Sequence, residues 1–299
     1  MEPKNSKPVL IAGWFSFDLP HNTAGDLLAK QTAITWTQEA GFDYRIAVTH
    51  PSSPDEVSTN ALHPEDYHAL VFVCGPLTER HILPFVQPFS GIKRIALNVS
   101  IVETSDLSKE FDVIIPRDTN TETNPDISLA TTSAPVPVIG LIYVGKQREY
   151  PTQKHEKVEE LVSKAVTRLG AATVMIDTRL PHNQYGLSSI DQIESTIRHM
   201  DIVITTRLHG AVLSLRNGTP PVVIDSVPEG AKVTRQMEAL NWPLRHTIAD
   251  LSEVQLVTSI NTALTQASHD LARKVANMAE KKLQKLRDSY IASLKKASK

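Results

Sequence analysis

The feature that most restricts this chain is an alternation, repeated along most of its length. Short β-branched or apolar runs are followed by longer segments whose apolar residues recur at helical spacing. That is the pattern that builds parallel sheets from βαβ units. In the first half the predicted strands are 8–12, 44–48, 69–74, 94–98 and 112–115. The clearest helix is predicted over 25–40, with Leu27, Leu28, Ala33, Ile34 and Trp36 on its apolar side and Gly41 as its stop.

Between 117 and 137 the sequence turns polar and rich in Thr, Asn and Pro, without an apolar periodicity, and reads as a linker. A second series follows it. Strands are predicted at 136–143, 172–176, 202–205 and 221–225, with helices at 155–169 and 190–198. At 299 residues the chain has room for two α/β domains of ordinary size. The expected division is an N-terminal domain over 1–130, a second domain over 131–266, and a basic terminal helix over 267–299.

Charge and cysteine content narrow the classes of function. A net charge of −2 gives no overall pull toward nucleic acid or an anionic membrane, so any anion binding has to be local. The single cysteine, Cys74, rules out an intrachain disulfide and a multi-cysteine metal cluster, which suits a reducing compartment. No apolar leader follows Met1 to Lys7, and no stretch of about 18 uncharged apolar residues occurs, so a cytoplasmic location is expected. The terminal segment carries nine Lys/Arg against three acids. It reads either as a helix packing one stripe on the body with a solvated basic face, or as a surface for a partner or for peripheral membrane contact.

The segment 200–225 parses as strand, short turn, helix, glycine stop, strand. Arg207-Leu208-His209-Gly210 fills its turn. In a βαβ unit that turn lies at the carboxyl end of the strand, where open α/β sheets place ligands, and it leads into a helix N-terminus that favours anions. Arg207 supplies a permanently charged fork suited to carboxylate or phosphate, and His209 a group that exchanges a proton near neutral pH. The competing reading pairs Arg207 with a carboxylate and gives His209 a loop-capping role. Lys232 follows the next strand and would add a second cation.

These residues resemble the polysaccharide pyruvyl transferase family. Its second domain carries D-x-V-I-x-x-R-L-H, a helix ending in G-x-P, an apolar strand and a downstream lysine, all present here from Asp201 to Lys232. Gly13-Trp14-Phe15 followed by Asn22-Thr23-Ala24-Gly25-Asp26 is similar to the family's N-terminal glycine turn and N-x-GD element, and Arg117-Asp118 to its V-R-D/E element. The resemblance implies two Rossmann-like domains in a GT-B-like pair with the active site in the interdomain cleft. It also implies a cytoplasmic step of polysaccharide biosynthesis for the cell envelope, in which the pyruvyl group of phosphoenolpyruvate passes to hydroxyls of a sugar or glycan-lipid acceptor as a ketal. His209 and Arg207 would then be catalytic, and Lys232, Arg148, Asn22, Gly25, Asp26, Arg117 and Gly210 would bind substrate. Arg148 lies several residues beyond the serine-x-arginine position of the family. No metal, nucleotide or other cofactor is required, and no nucleic acid is expected as partner.

Other readings stay open. A GT-B glycosyltransferase using a nucleotide sugar would employ Arg207 and Lys232 on the diphosphate, and a binding protein of the same fold would keep a silent site. Asn22 and Asp26 equally suit an N-cap and a first-turn carboxylate. The run Asp177 to Asn183 follows a strand and is a candidate reader of the acceptor sugar. His50, His63, His68 and His81 lack ligand spacing. Neither a P-loop nor a G-x-G-x-x-G turn occurs.

Overall fold

The computed structural model describes residues 7–18, 22–101, 106–145, 147–148 and 151–297. Residues 1–6, in which no leader is read, lie outside them. The chain divides into two compact units, Met1–Ala134 and Pro135–Lys299.

Six parallel strands make the first sheet: β1 (Val9–Gly13), β2 (Tyr44–Val48), β3 (Glu56–Ser58), β4 (Ala69–Val73), β5 (Lys93–Ser100) and β6 (Val113–Asp118). Their order, β3-β2-β1-β4-β5-β6, is that of a doubly wound Rossmann sheet, and the winding reverses between β1 and β4. Alternate residues of these two strands point to opposite cores. Leu10, Ala12, Leu70 and Phe72 join one, and Val9, Ile11, Val71 and Val73 the other. A sheet covered on both faces explains why its strands read as continuous apolar runs.

Helix α1 (Ala24–Glu39) covers the second of these cores. Its stop at Gly41 has φ +84°, a conformation that glycine adopts without strain. The buried face matches the expected one only at Ala33 and Ile34. Ala29, Thr32, Ala33 and Ile34 are buried, whereas Leu27 and Trp36 are exposed. Small side chains let this helix lie close to its neighbours, and Thr32 Oγ1 donates to the Ile127 carbonyl at 2.9 Å. That bond corrects a second expectation, because most of the supposed linker is folded onto the first unit. The Asn98 amide donates to Pro125 O at 3.0 Å, Asn98 Oδ1 accepts from Ile127 N at 3.0 Å, and Ile127 is buried. The division therefore falls between Ala134 and Pro135.

The second sheet has five parallel strands, β7 (Val138–Ile142), β8 (Ala172–Met175), β9 (Ile202–Thr205), β10 (Pro221–Asp225) and β11 (Arg245–Thr247), in the order β11-β10-β9-β7-β8. It too is doubly wound, and its reversal falls between β7 and β9. In chain order α2 (Glu79–Val86) belongs to the first unit. The second holds α3 (His155–Leu169), α4 (Ile190–Arg198), α5 (Leu208–Arg216), α6 (Lys232–Ala239), α7 (Glu253–Ala263) and α8 (Gln266–Ala297). Trp242 is fully buried, with its indole N–H donated to Pro221 O at 2.8 Å.

The terminal helix is not a separate segment. Ala272 and Val275 of α8 enter the main core of the second unit, and Lys282 Nζ donates to Ala239 O at 3.2 Å. Beyond Lys282, Leu283, Leu286, Tyr290 and Leu294 of the same helix are each at least half exposed. No helix among the described residues is long and apolar enough to cross a membrane.

Candidate active site

In a doubly wound sheet the loops on either side of the reversal diverge, and the crevice between them opens at the carboxyl ends of the strands. In the second unit those strands are β7 and β9, and two threonines join them. Thr205 Oγ1 donates to Ile142 O at 2.9 Å and accepts from Arg207 N at 2.9 Å. Thr206 Oγ1 accepts from Val144 N at 2.9 Å. The turn that carries Arg207 is thus tied to the end of β7 as well as to its own strand.

Arg207 is the N-cap of α5 in an extended conformation, and no side chain caps the helix. His209 and Gly210 lie in its first turn. Gly210 is buried, and a Cβ placed on it would stand 2.8 Å from Ile142 Cγ2 and press on Thr205 Oγ1. The residue read as a substrate contact therefore has a packing duty: it lets α5 approach β7 and β9. Gly210→Ala is expected to cost about 1–3 kcal/mol through overpacking and to move Arg207 and His209 with the helix. A fall in kcat/KM larger than the loss of thermal stability accounts for would register that movement.

Arg207 is three-quarters buried. Its ion-pair partner among the described residues is Asp177, with Nη1 to Oδ1 at 4.0 Å, and its guanidinium donates no hydrogen bond to any described residue. Burial is the largest influence on its pKa and draws it below the usual arginine value, Asp177 pulling the other way. The group remains a cation throughout. Its pairing with a carboxylate matches the competing reading of the sequence, but at a separation that leaves the donors open. His209 is exposed and makes no hydrogen bond or ion pair with the described residues.

The other predicted residues divide between the two units. Lys232 is half-buried at the first position of α6, after the loop that follows β10. That loop is organised by Asp225, which accepts from Val227 N (3.1 Å), Ala231 N (2.7 Å), Thr234 N (3.1 Å) and Thr234 Oγ1 (2.9 Å). Arg148 is exposed in the loop after β7. Nearby, Val144, Gly145, Gln153, Lys154 and His155 line an open cavity of about 580 Å³ at the start of α3. The loops after β7, β9 and β10 all leave the same edge of one parallel sheet, so Arg148, Arg207, His209 and Lys232 share that edge.

Asn22, Gly25, Asp26 and Arg117 belong to the first unit, and local structure accounts for two of them. Thr23, rather than Asn22, is the N-cap of α1. Asp26 closes the capping box, its Oδ2 accepting from Thr23 N and Oγ1, both at 2.8 Å. Its Oδ1 accepts from the Cys74 thiol at 3.2 Å, and burial together with this carboxylate pushes the thiol pKa up. Asn22 and Gly25 are exposed beside this cap. Arg117, expected as a substrate contact, is a cross-link: Nε donates to Asp118 (2.9 Å), Nη1 to Asp126 (2.8 Å) and Nη2 to Ser100. Burial opposes its charge, but the two carboxylates prevail and raise its pKa.

Sequence reasoning missed the roles of Asp177 and Arg179. Asp177 is buried beside β8 and bonded to Arg179, with Oδ1 accepting from Arg179 N at 2.9 Å and Oδ2 lying 2.9 Å from Nη2. Burial works against its ionisation, yet the Arg179 and Gln184 hydrogen bonds outweigh it and hold the carboxyl below its usual pKa. The only sequence signal for this role was the position of the segment after a strand.

No curated protein matches the chain. Among solved structures, the spinosyn forosaminyltransferase is 13% identical over 96% of this chain and 99% of its own, with a TM-score of 0.33. The UDP-GlcNAc 2-epimerase of Methanocaldococcus jannaschii is 7% identical over 91% and 99%, also at 0.33. The ADP-heptose heptosyltransferase II of E. coli is 13% identical over 87% and 99%, at 0.30. The profile of one family, described as polysaccharide pyruvyl transferase, matches residues 24–226. That span runs from the start of α1 to the end of β10 and takes in the reversal point of the second sheet and the whole strand-turn-helix around Arg207, and the chain belongs to the polysaccharide pyruvyl transferase family.

Proposed function

We propose that the chain transfers the pyruvyl group of phosphoenolpyruvate to hydroxyls of a sugar in a glycan or glycan precursor, forming a ketal. The observation that carries this reading is the half-open Arg207 guanidinium beside the exposed His209 at the reversal point of the second sheet, in a member of this family. A buried cation whose donors are not taken up favours an anionic ligand.

The chemistry follows from the substrate. Phosphoenolpyruvate carries a carboxylate and a phosphate, and cations at the edge would hold them. His209, as an imidazolium, gives its proton to the methylene carbon, and the adjacent carbon becomes oxocarbenium-like. A sugar hydroxyl attacks that carbon and releases its proton. The C–O bond to phosphate then breaks, inorganic phosphate leaves, and a second hydroxyl adds with loss of its proton to close the ketal. The scheme draws on no metal or nucleotide, and it takes place in the cytoplasm on a free or lipid-borne acceptor.

Thermal unfolding tests the donor. A ligand that binds only the folded state stabilises it by mass action, by about 2.7 kcal/mol at one hundred times Kd. Phosphoenolpyruvate is expected to raise Tm, and UDP- and CMP-sugars to leave it unchanged. Stabilisation by a nucleotide sugar but not by phosphoenolpyruvate would reject the pyruvyl reading in favour of glycosyl transfer.

A further inference from the structure

Asp177 follows β8 and Arg207 follows β9, the two strands that flank β7, so these residues reach the carboxyl edge from either side of one central strand. The Asp177 carboxylate is 6% exposed and is the junction of its loop. Besides the bonds already described, Arg179 Nε lies 3.0 Å from each of its oxygens, and Gln184 N donates to Oδ2 at 3.3 Å. Arg179, in contrast, keeps 56% of its side chain exposed. Arg207 stands 4.0 Å from the same carboxylate, which is an electrostatic contact and not a hydrogen bond. Thr178, between Asp177 and Arg179 in the loop, has a buried hydroxyl oxygen with no hydrogen-bond partner among the described residues.

The charges around Asp177 do not cancel. Two guanidiniums share one carboxylate, leaving an excess of one positive charge where Arg207 is largely removed from water. The two cations repel each other, an effect that is relieved only when a further anion takes up their donors. Because the carboxylate lies deeper than either guanidinium, the side left for that anion is the exposed one.

We propose that Arg179 and Arg207, both set on the Asp177 carboxylate, form a paired-guanidinium seat for a phosphate group, with Asp177 as its positioning residue. Arg179 uses its Nε–Nη2 edge on Asp177 and Arg207 commits no hydrogen bond to it, so the N–H groups they keep can bridge the three terminal oxygens of a phosphate monoester, which has close to two charges. Naming the occupant as the phosphate of phosphoenolpyruvate rests on the transferase reading above; the seat itself does not. Arg179 is then the second cation for the phosphate, and Lys232 and Arg148 are left for the carboxylate or the acceptor.

Calorimetric titration of the full chain with inorganic phosphate, phosphoenolpyruvate and pyruvate tests the seat. Arg179→Gln is expected to weaken phosphate and phosphoenolpyruvate by the same factor, roughly 10- to 100-fold, and to leave pyruvate unchanged. Arg179→Lys keeps the charge but loses the fork, so it recovers only part of the affinity. Asp177→Asn removes a negative charge and on electrostatics alone would tighten phosphate. As a positioning residue its loss weakens phosphate instead, because the Arg179 guanidinium loses its anchor.

An unchanged phosphate affinity in folded Arg179→Gln overturns the seat, as does tighter binding in folded Asp177→Asn. So does a loss of pyruvate binding in place of phosphate, or a wild-type chain that binds no phosphate at all. If Asp177→Asn melts below the assay temperature, the two Arg179 variants decide the matter. A wild-type chain that binds inorganic phosphate and a nucleoside diphosphate, but not phosphoenolpyruvate, removes the pyruvyl reading alone. The same variants titrated with the nucleoside diphosphate then judge the seat.

Discussion

Replacing His209 by alanine is expected to lower kcat by about 100- to 10,000-fold, the usual contribution of a positioned general acid, while the affinity for phosphoenolpyruvate changes little. The separation is clean because of where the residue lies. His209 is exposed and has no hydrogen bond or ion pair with the described residues, so its removal leaves no buried partner unsatisfied. Arg207, which the proposal gives the task of holding the anion, is untouched. His209→Gln, which keeps a hydrogen-bonding side chain but cannot pass a proton, should fall as far. Phosphate release under saturating donor and acceptor measures kcat, and calorimetry measures binding. A variant that retains its turnover would move the acid role to another residue, and one that loses binding in parallel would make His209 part of the anion site.

The largest effect on stability is expected from Asp225→Ala. The carboxylate is 3% exposed and receives the N–H groups of Val227 and Ala231 from the loop between β10 and α6, and the N–H and hydroxyl of Thr234 from the first turn of α6. Alanine leaves those donors buried without an acceptor, a loss of about 3–5 kcal/mol. Asn retains one acceptor oxygen and should lose roughly half as much. Urea denaturation followed in the second unit reads the difference as a lower midpoint. Because the loop ends at Lys232, the same change should raise KM even where the protein is still folded. Equal stability of the Ala and Asn variants would mean that the loop holds its shape without the carboxylate.

Much of the architecture is legible along the chain because local chemistry decides it. Helices α3 and α4 and strands β9 and β10 have the bounds their patterns predict. A strand buried on both faces leaves an uninterrupted apolar run, and a helix on a sheet leaves a stripe. Strands β3 and β11 are not legible, since three residues at a sheet edge carry no period. The stretch after Arg117 misleads for another reason. Its attachments run from Asn98, Thr32 and Asp126 through backbone carbonyls and polar side chains, so a segment bound to the body has the composition of a free one.

The candidate site shows the same division. Arg207 and His209 stand out because a strand, a turn and a helix follow each other within a few residues. The partnership of Arg207 with Asp177 spans 30 residues of sequence and depends on β8 and β9 lying on opposite sides of β7. Gly210 has a packing duty that its place in the turn does not reveal. Its neighbour Ile142 lies on another strand, and only the packed structure shows that the position has no space for a methyl group.

The exposed end of α8 bears on how the purified chain would behave. After Lys282 the helix extends over residues 283–297, about 22 Å at 1.5 Å per residue. A helix of that length has little stability of its own in water, so it unwinds without disturbing the core that holds Ala272 and Val275. Lys285, Arg287, Lys295 and Lys296 are all exposed there. A protease that cleaves after basic residues would therefore trim this end first, leaving both sheets and the Arg207 turn in a shorter, still folded protein.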